Sequence, residues 1–374
     1  MKKLYQHLSS VVFLVLVFVL MLLFIVLPKQ EYSSNEKRVL SDFPAVSAQS
    51  VFDGSFGTAF ETYLSDHFPL RSFFVGLNSY YQLMLGNNGA TGIYKGADGY
   101  LFSKPEALNA DRLTRNIGYL STFAEKNNLN AALLAVPTAG YILDEKLPAV
   151  HEEYVDEEAF ALIQNSLTGR MPLIDMRNTF RSAQEQVYYR TDHHITSAGS
   201  YFCYQAICNQ FGLQPVQRSS FAVQTSEDFY GTTYSRSGLW FTKPDTVEIW
   251  KDENLSVKVY VSEDGSEDWT HDGLFFMHHL DADDQYPVFL DGNHGYVHIR
   301  NENATGGKLL IVKDSYAHCL TGFLAAHYSD IYMIDLRYYK LSISPLVAEK
   351  GIDSVLFVYG LDNLMTDSNI AWLE

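Results

Sequence analysis

The residue types of a serine nucleophile and its base occur in two separate segments of the 374-residue chain. The later segment places Ser315 directly after an apolar run, and the earlier one contains Asp192 and His194. A serine nucleophile needs a base to take its proton, and the base needs an anion that fixes its tautomer and stabilises the imidazolium. The three residues therefore predict a triad in the chain order Asp, His, Ser.

The sequence around Ser315 predicts a strand that turns directly into a helix. The run 308–313 has the length and branching of a buried strand, and a helix-like segment begins at Tyr316. Such a turn exposes the serine hydroxyl at the carboxyl end of the strand, where α/β folds usually bind ligands. The amides of Tyr316 and Ala317 would then be free to bind an oxyanion. The alternative is that Asp314 or Ser315 caps the helix and has no chemical role.

The segment around His194 predicts a base and its orienting carboxylate on a loop between a strand and a helix. Residues two apart in an extended segment point to the same side, so Asp192 and His194 would face one pocket while His193 faces away. The run from Ser197 to Phe211 is typical of a helix with a capping residue at its start. We therefore expect the loop to be held at both ends.

Taken together, the two segments resemble a known bacterial family. The combination of Asp-His-His-Ile-Thr at 192–196 with Lys-Asp-Ser-Tyr-Ala at 313–317 is similar to the DHHW family. That family resembles periplasmic alginate O-acetyltransferase proteins and, more remotely, SGNH hydrolases. In the alginate group an Asp-x-His pair precedes the serine, and this chain has the same permuted order. Further matches are Glu36-Lys37-Arg38, Asp66-His67-Phe68-Pro69-Leu70-Arg71, Gly99-Tyr100-Leu101-Phe102 and Met333-Ile334-Asp335-Leu336-Arg337-Tyr338-Tyr339.

The chain departs from the family pattern at two positions beside the predicted site. Ile195 stands where the family has the tryptophan of its name, and Lys313 stands where an ordinary SGNH enzyme has the glycine of Gly-Asp-Ser. We expect the first substitution to alter the packing behind His194. The second leaves the oxyanion geometry open.

Four further residues are candidates for binding the substrate or the oxyanion. SGNH enzymes use a glycine and an asparagine at the oxyanion, and the resemblance implies Gly292 and Asn293 for that part. The alternative for this pair is an ordinary Gly-Asn turn. Arg337, at the end of a predicted strand, either binds a substrate anion or pairs with a carboxylate. Tyr316 either lines the site or packs in the core.

A second chemistry uses some of the same residues. Asp192, His193, His194, Asp314 and His318 are all potential metal ligands, and Asp-His-His is also the signature of a manganese-dependent phosphoesterase family. Those enzymes need paired aspartates near their start, where this chain has only isolated ones. Adjacent histidines on a strand also point apart, so one ion could not easily take both. We therefore predict a site that needs no metal and no other cofactor.

The N-terminus predicts a membrane anchor. Two lysines precede an uninterrupted apolar run from Val11 to Leu27, which is at the short end for a spanning helix, and no small-x-small cleavage site follows. We expect a signal anchor at 1–28 with its start in the cytoplasm, a stalk at 29–52, and a domain at 53–374 outside the cell. A cleaved signal peptide is the alternative, and it would also leave the domain outside.

Composition limits the partners and the kind of core. Lys plus Arg number 27 against 44 Asp plus Glu, so a net charge of −17 disfavours nucleic acid and anionic lipid as partners. The chain is 47% hydrophobic, enough for a large core in one elaborated domain or two. Cys203, Cys208 and Cys319 lie in apolar surroundings, so we expect buried free thiols rather than a disulfide framework.

The order of the predicted elements is typical of an α/β domain. Strand-like runs at 131–136, 172–176, 331–336 and 354–359 alternate with helical ones, and alternating runs at about 220–300 predict an antiparallel, β-rich insertion. The whole resembles an SGNH hydrolase-like (flavodoxin-like) three-layer domain, with a parallel sheet and helices on both faces.

The resemblance implies an extracytoplasmic, membrane-anchored O-acetyltransferase or acetylesterase that acts on a cell-surface or exported polysaccharide. In it Ser315 would attack an acyl carbonyl, His194 would act as general base and then general acid, and Asp192 would orient His194. The outer face of a membrane lacks acetyl-CoA, so the resemblance also implies a membrane-bound O-acyltransferase as the acyl donor. The alternative is a non-catalytic glycan-binding or assembly protein of an exopolysaccharide acetylation system, which keeps the fold without turnover.

Overall fold

A computed structural model describes residues 2–33, 38–267 and 269–373, and for residues 2–6 it describes the backbone alone. Glu36 and Lys37, which the sequence matches to the DHHW family, lie outside these residues. The α-helices are α1 Lys2–Val26, α2 Ala48–Phe52, α3 Ser55–Asp66, α4 Arg71–Met84, α5 Ala110–Lys126, α6 Ala139–Ile142, α7 Asp156–Leu167, α8 Arg177–Ser182, α9 Ser197–Phe211, α10 Thr232–Ser237, α11 Ala317–Leu324, α12 Ile343–Lys350 and α13 Leu361–Thr366. The strands are β1 Tyr32–Ser33, β2 Arg38–Val39, β3 Ile93–Lys95, β4 Leu101–Ser103, β5 Asn130–Val136, β6 Leu173–Asp175, β7 Phe221–Phe229, β8 Asp245–Asp252, β9 Lys258–Ser262, β10 Trp269–Asp272, β11 Tyr296–Arg300, β12 Lys308–Lys313, β13 Asp330–Ile334 and β14 Ser354–Gly360.

The chain forms two compact units. The smaller unit contains the chain up to Thr91 together with Ser235–Trp240, and the larger unit contains Gly92–Tyr234 and Phe241–Glu374. In the smaller unit, α1 includes an apolar stretch, His7–Val26, of 20 residues with a mean hydropathy of 3.2. Among the described residues it is the one helix long and apolar enough to cross a membrane.

The contacts among the described residues of the smaller unit include an ion pair and an aromatic cluster. The guanidinium of Arg38 donates to both carboxylate oxygens of Asp66, at 2.5 and 3.1 Å. The Trp240 ring stacks on Phe73, with 5.8 Å between ring centroids. A glycine at residue 76 leaves room for the Trp240 ring, because a Cβ at this residue would come within 2.1 Å of the ring.

The larger unit is built on an eight-stranded sheet with the order β10-β9-β11-β13-β12-β14-β5-β6. From β13 to β6 every pair is parallel, whereas β11, β9 and β10 pair antiparallel along one side. These antiparallel strands lie within 220–300, where the sequence predicts an antiparallel, β-rich insertion, and the parallel pairs lie outside it. The predicted insertion does not stand apart, because β11 hydrogen-bonds to the edge of β13 and continues the sheet.

Helices cover both faces of this sheet. Alternate side chains of a strand point to opposite faces, and β12 divides accordingly, with Ile311 in one hydrophobic cluster and Leu310 in another. The first cluster includes residues of α9 and α11, and the second includes residues of α5, α7, α12 and α13. The described part of the unit is thus an α/β fold with a large mixed sheet between two helical layers.

The parallel strands follow a known order if counting starts at β12. Counted along the chain from β5, their order from β6 to β13 is 2-1-5-3-4. Counted from β12 and returning to β5 after β14, the order from β13 to β6 becomes 2-1-3-4-5, which is the flavodoxin-like order. In that count β12 and β14 flank the switch point, where the carboxyl ends of the strands open a ligand-binding crevice. Ser315 follows β12 at this edge.

The same unit contains two interacting acids, the buried Asp156 and the partly buried Asp362. Asp156 accepts hydrogen bonds from the amide and the hydroxyl of Thr138, both at 2.8 Å. Asp362 Oδ1 is buried and has no hydrogen-bond partner among the described residues. Burial raises the pKa of Asp156 to about 6. Burial, together with the neighbouring charge of Asp156, raises the pKa of Asp362 to about 7.

We predict that Asp362→Asn becomes more stable relative to the wild type as the pH rises. An unfolded aspartate ionises near pH 4, so between about pH 5 and about pH 8 only the folded wild type loses this proton, and its stability falls. The asparagine cannot titrate. The difference in unfolding free energy between the two proteins should grow by about 1 kcal/mol or more across this range.

Both proteins are unfolded with a chemical denaturant at each pH, and unfolding is monitored by tryptophan fluorescence. The comparison must be between variants, because burial and the charge of Lys313 lower the pKa of His318, which gives the opposite pH slope. A difference in unfolding free energy that stays constant with pH would contradict the raised pKa of Asp362.

Candidate active site

The structure brings Ser315, His194 and Asp192 together at the carboxyl end of β12. His194 Nε2 lies 2.7 Å from Ser315 Oγ, and His194 Nδ1 lies 2.5 Å from Asp192 Oδ1. With Nδ1–H donating to the carboxylate, Nε2 is left to accept the serine proton. The three residues are only 9%, 5% and 2% exposed, in that order. The arrangement is a continuous hydrogen-bonded chain from a buried carboxylate to a serine hydroxyl.

The carboxylate of Asp192 is held in its ionised form. Its Oδ1 also accepts the His194 amide at 2.9 Å, and its Oδ2 accepts the amide and the hydroxyl of Thr232 at 2.6 and 3.0 Å. Burial opposes the charge, but the neighbouring charges of His194 and His193 and these hydrogen bonds outweigh it and hold the pKa of Asp192 well below its usual value. Gly231 admits this contact, since a Cβ there would come within 2.2 Å of Asp192.

A second buried aspartate, Asp245, fixes the loop that carries these residues. Its Oδ2 accepts the amide and the hydroxyl of Thr191, both at 2.7 Å, and its Oδ1 accepts Arg190 Nε at 3.0 Å. The loop closes through a bridge between Tyr188 and Ile195. Sequence reasoning missed Asp245, because it begins strand β8 far along the chain and has no motif around it.

His193 does not face away from His194, contrary to the prediction. The centroids of their rings lie 3.9 Å apart, His193 Nδ1 bonds Thr232 Oγ1 at 2.7 Å, and the His193 carbonyl accepts the Tyr316 hydroxyl at 2.8 Å. The prediction assumed an extended backbone, but the residues from 190 to 194 form a series of bends. His193 therefore lies beside the hydrogen-bonded chain without being a link in it.

Tyr286 is a second site residue that sequence reasoning missed. Its ring stacks on that of His194 with 3.9 Å between centroids and an interplanar angle of 9°. It is buried, and its hydroxyl has no hydrogen-bond partner among the described residues. Its contact with His194 is thus made by the ring face alone. A single tyrosine at the start of a short 3₁₀ helix carries no sequence pattern that would predict this contact.

The turn at Ser315 is organised by Asp314. Asp314 Oδ1 accepts the Tyr316 amide at 3.0 Å, and Oδ2 accepts the Gly360 amide and Asn363 Nδ2, both at 2.8 Å. The Tyr316 amide is therefore not free for an oxyanion, and that prediction was wrong because the preceding carboxylate folds back over the turn. The Ser315 side chain does not cap α11. The backbone N–H of Ser315 has no hydrogen-bond partner among the described residues.

Lys313, which stands where an ordinary SGNH enzyme has a glycine, is buried beneath the site. Its Nζ lies 2.8 Å from His318 Nε2 and 3.2 Å from Asp335 Oδ2. Burial and the nearby charge of Arg337 lower the pKa of Lys313, against the opposing charge of Asp335. Burial and the Lys313 charge lower the pKa of His318 well below its usual value, so His318 is neutral and accepts from Lys313.

Gly292, Asn293, Tyr316 and Arg337, which the sequence predicts to bind the substrate or the oxyanion, each have a defined environment in the structure. Arg337 donates to Asp335 at 2.6 and 2.9 Å, which is the ion pair left open as its alternative, and also to Asn293 Oδ1 at 3.2 Å. Gly292 has φ +85° in the turn before Asn293. Tyr316 lies beside His194, with 5.3 Å between ring centroids. Its position beside the site is the first of the two alternatives.

The five candidate metal ligands do not form one set. Asp192, His193 and His194 have ligand atoms within 4.8 Å of one another. However, Asp314 binds amides and His318 accepts from Lys313, so both are engaged elsewhere.

The three cysteines are buried and unpaired, as the sequence predicts.

The chain is similar to known proteins in both sequence and structure. The sequence profile described as DHHW protein matches residues 154–334. No curated protein sequence matches the chain. A DHHW family protein from Eubacterium siraeum has a similar structure, with a TM-score of 0.65 and 24% identity over 76% of this chain and 95% of that one.

Two further structures are similar over comparable lengths. PatB1 of Bacillus cereus, solved with a sulfonyl adduct, has a TM-score of 0.64 and 19% identity over 75% of this chain and 98% of that one. The O-acetyltransferase domain of Pseudomonas putida AlgJ has a TM-score of 0.48 and 15% identity over 75% and 98%. The resemblance to the DHHW family that the two sequence segments predict is confirmed: residues 154–334 match that family, and they include Asp192, His194 and Ser315.

Proposed function

We propose that this protein is an extracytoplasmic, membrane-anchored serine O-acetyltransferase or acetylesterase of the SGNH type, acting on a cell-surface or exported polysaccharide. One observation carries the proposal: the hydrogen-bonded chain from Asp192 through His194 to Ser315. A serine bonded to an imidazole whose other nitrogen bonds a carboxylate is the arrangement that activates a hydroxyl for attack on an acyl carbonyl.

The chemistry proceeds in two halves. Ser315 Oγ attacks the acyl carbonyl while His194 Nε2 takes its proton, and the protonated imidazole is stabilised by Asp192. The tetrahedral intermediate collapses with transfer of that proton to the leaving group, which leaves an acyl group on Ser315. A sugar hydroxyl or water then gives its proton to His194 and attacks the acyl-enzyme, and Ser315 leaves as the hydroxyl. No metal or cofactor is required by these steps.

The developing oxyanion needs hydrogen-bond donors, and the unpartnered N–H of Ser315 is the first candidate. Asn293 is the second, because Arg337 occupies its Oδ1 and leaves its amide nitrogen to donate. Gly292 would then contribute by the turn that sets the position of Asn293, Tyr316 would line the acyl pocket, and Arg337 would act by orienting Asn293.

The strand order supports the assignment of an SGNH-like (flavodoxin-like) fold. A flavodoxin-like sheet binds its ligand at the carboxyl ends of its first and third strands. Here the order 2-1-3-4-5 is recovered when β12 is counted as the first strand, and Ser315 follows β12. The permuted motif order, in which Asp192 and His194 precede Ser315, agrees with that starting point. The predicted boundaries at residues 28 and 52 remain part of the proposal.

The partners follow from the location. On the outer face of the membrane the acyl group must come from a donor that crosses the bilayer, so we propose a membrane-bound O-acyltransferase as the partner of a transferase. An esterase would need none. The charge of −17 disfavours nucleic acid, as it would for any strongly acidic surface.

Covalent labelling of Ser315 distinguishes an enzyme from a non-catalytic glycan-binding protein. The purified protein is incubated with an activated acetyl ester or with a sulfonyl fluoride, and the modified peptide is identified by mass spectrometry. We expect the adduct on Ser315 and none in His194→Ala, because the hydroxyl is then not activated. Absence of any adduct on Ser315 in the wild type would favour the glycan-binding alternative.

We predict that Ser315→Ala and His194→Ala each lower ester turnover by several orders of magnitude, because nucleophile and base act as one unit. Asp192→Asn should cost a large but smaller factor, since an amide does not stabilise the imidazolium. The matched control is His193→Ala. His193 Nδ1 lies 3.5 Å from Asp192 Oδ1, but His193 makes no hydrogen bond to Ser315 and is not the proposed base, so this variant should keep measurable turnover. If His193→Ala abolishes turnover while His194→Ala spares it, the assignment of the base is wrong.

A second pair of variants tests the stacking on His194. Tyr286→Phe keeps the ring and removes a hydroxyl without a hydrogen-bond partner among the described residues, so turnover should stay close to that of the wild type. Tyr286→Leu removes the stacked face and should lower turnover by about 2- to 10-fold. The loss should occur in Tyr286→Leu alone, because only this variant removes the ring that lies against His194. Equal turnover in both variants would make Tyr286 a packing residue only.

The anchor makes a prediction about location. Because α1 contains a 20-residue apolar stretch, the mature protein should stay in the membrane fraction and keep its N-terminus. Protease added outside intact cells should degrade the domain. A soluble, secreted main product that begins after residue 28 would refute the anchor.

A further inference from the structure

A cluster of histidines around Asp291 lies outside the hydrogen-bonded chain of the active site. His278, His279 and Asp291 have ligand atoms within 4.8 Å of one another. His279 Nε2 lies 2.6 Å from Asp291 Oδ1, and His294 Nε2 lies 3.0 Å from the other carboxylate oxygen. Three imidazoles thus surround one carboxylate. We propose that this cluster binds one transition-metal ion, with Zn²⁺ the best match, and that the ion clamps the loop that carries Tyr286.

The ligand types select the class of metal. Imidazole nitrogens suit Zn²⁺ and other late first-row ions, whereas Ca²⁺ and Mg²⁺ need more oxygen ligands than the single carboxylate of Asp291 provides. Ligands in a tetrahedral Zn²⁺ site lie about 3.3 Å from one another. The ligand atoms of His278, His279 and Asp291 are already within 4.8 Å of one another, and His294, which contacts Asp291 at 3.0 Å, would complete the set by side-chain rotation. His278 is exposed, and its ring nitrogens make no hydrogen bond among the described residues, so it is available as a ligand.

The surroundings of His294 support the same assignment. Its Nδ1 faces Glu263 Oε1 at 3.4 Å, and the other oxygen of Glu263 accepts the Gly295 amide at 3.0 Å. A metal-binding histidine commonly donates its second N–H to a carboxylate, which fixes the tautomer and the ring orientation. On binding, the Nε2 proton that bonds Asp291 would be lost, and Nδ1–H would donate to Glu263.

The backbone around Asp291 gives an independent indication. Leu290 has φ +59° and Asp291 has φ +62°, so two consecutive residues with side chains adopt the left-handed region before Gly292. Such residues persist where the surroundings impose the conformation, and they cluster at ligand clamps. Here the conformation turns the Asp291 carboxylate between His279 and His294.

The clamp joins two segments that flank Tyr286. His278 and His279 lie on the 3₁₀ helix Met277–Asp281, and Asp291 follows the second 3₁₀ helix, Tyr286–Val288. The segments are already paired by a bridge between Phe275 and Phe289. A metal ion would cross-link them at a second point and so restrict the loop from which Tyr286 stacks on His194. The metal site does not depend on the proposed acyl transfer.

The experiment uses the full chain, purified in detergent without a polyhistidine tag, stripped with a chelator and titrated with Zn²⁺. Bound metal is measured by mass spectrometry and the Tm by intrinsic fluorescence. We expect one equivalent of Zn²⁺ and a rise in Tm that Mg²⁺ does not reproduce. His279→Gln and Asp291→Asn should each weaken binding by about tenfold or more. Asparagine tolerates the left-handed backbone, so Asp291→Asn should fold like the metal-free wild type.

Two control variants locate the ion. His151→Gln changes an exposed histidine outside the cluster and should leave Zn²⁺ affinity unchanged. His193→Gln changes the other group with clustered ligand atoms and should also bind as the wild type does. Binding lost in His193→Gln but kept in His279→Gln would overturn the proposal, as would failure of the wild type to bind Zn²⁺ or an equal rise in Tm with Mg²⁺. Ester turnover is measured separately, so an inactive protein that binds Zn²⁺ through this cluster would refute only the acyl-transfer proposal.

Discussion

The hydrogen bond between His194 and Ser315 joins two residues that are 121 positions apart, and much of the larger unit serves to make it. A bond of 2.7 Å tolerates little movement at either end. The serine end is held by the turn after β12, where Asp314 binds one group from its own turn, one from the end of β14 and one from helix α13. The histidine end is held by Asp192 through its side chain and by Tyr286 through its ring face.

This arrangement buries several charged side chains. The region around the site contains the carboxylates of Asp192, Asp245, Asp314 and Asp335, all at most 2% exposed. Each has amide, hydroxyl or cationic partners, which is the condition under which a buried carboxylate is tolerated. Lys313 is part of this compensation, because together with Arg337 it balances Asp335. The lysine that stands where an ordinary SGNH enzyme has a glycine is therefore integrated into the buried structure beneath the serine.

Local sequence patterns predicted the elements well and the long-range contacts poorly. The helix Ser197–Phe211 has its predicted bounds, and the strands at β5, β12 and β14 lie within one or two residues of theirs, because periodicity and capping are local properties. The pairing of Asp192 with His194 also followed from spacing. His193 was misplaced because a bend replaced the assumed extended backbone. Asp245 and Tyr286 were missed because only tertiary packing brings them to the loop. The antiparallel strands at about 220–300 were predicted, but their pairing with the edge of β13 was not, because edge pairing depends on tertiary packing.

The position of β14 has a consequence for how the protein is made. This strand lies between β12 and β5, yet it is the last strand in the chain. A chain that emerges from its N-terminus can pair β5 with β6 and β12 with β13, but these two halves have no strand between them until residue 360 has been synthesised. His194 belongs to the earlier half and Ser315 to the later one. The nucleophile therefore meets its base only after residue 360 has been synthesised, so the arrangement of the strands also delays the assembly of the site.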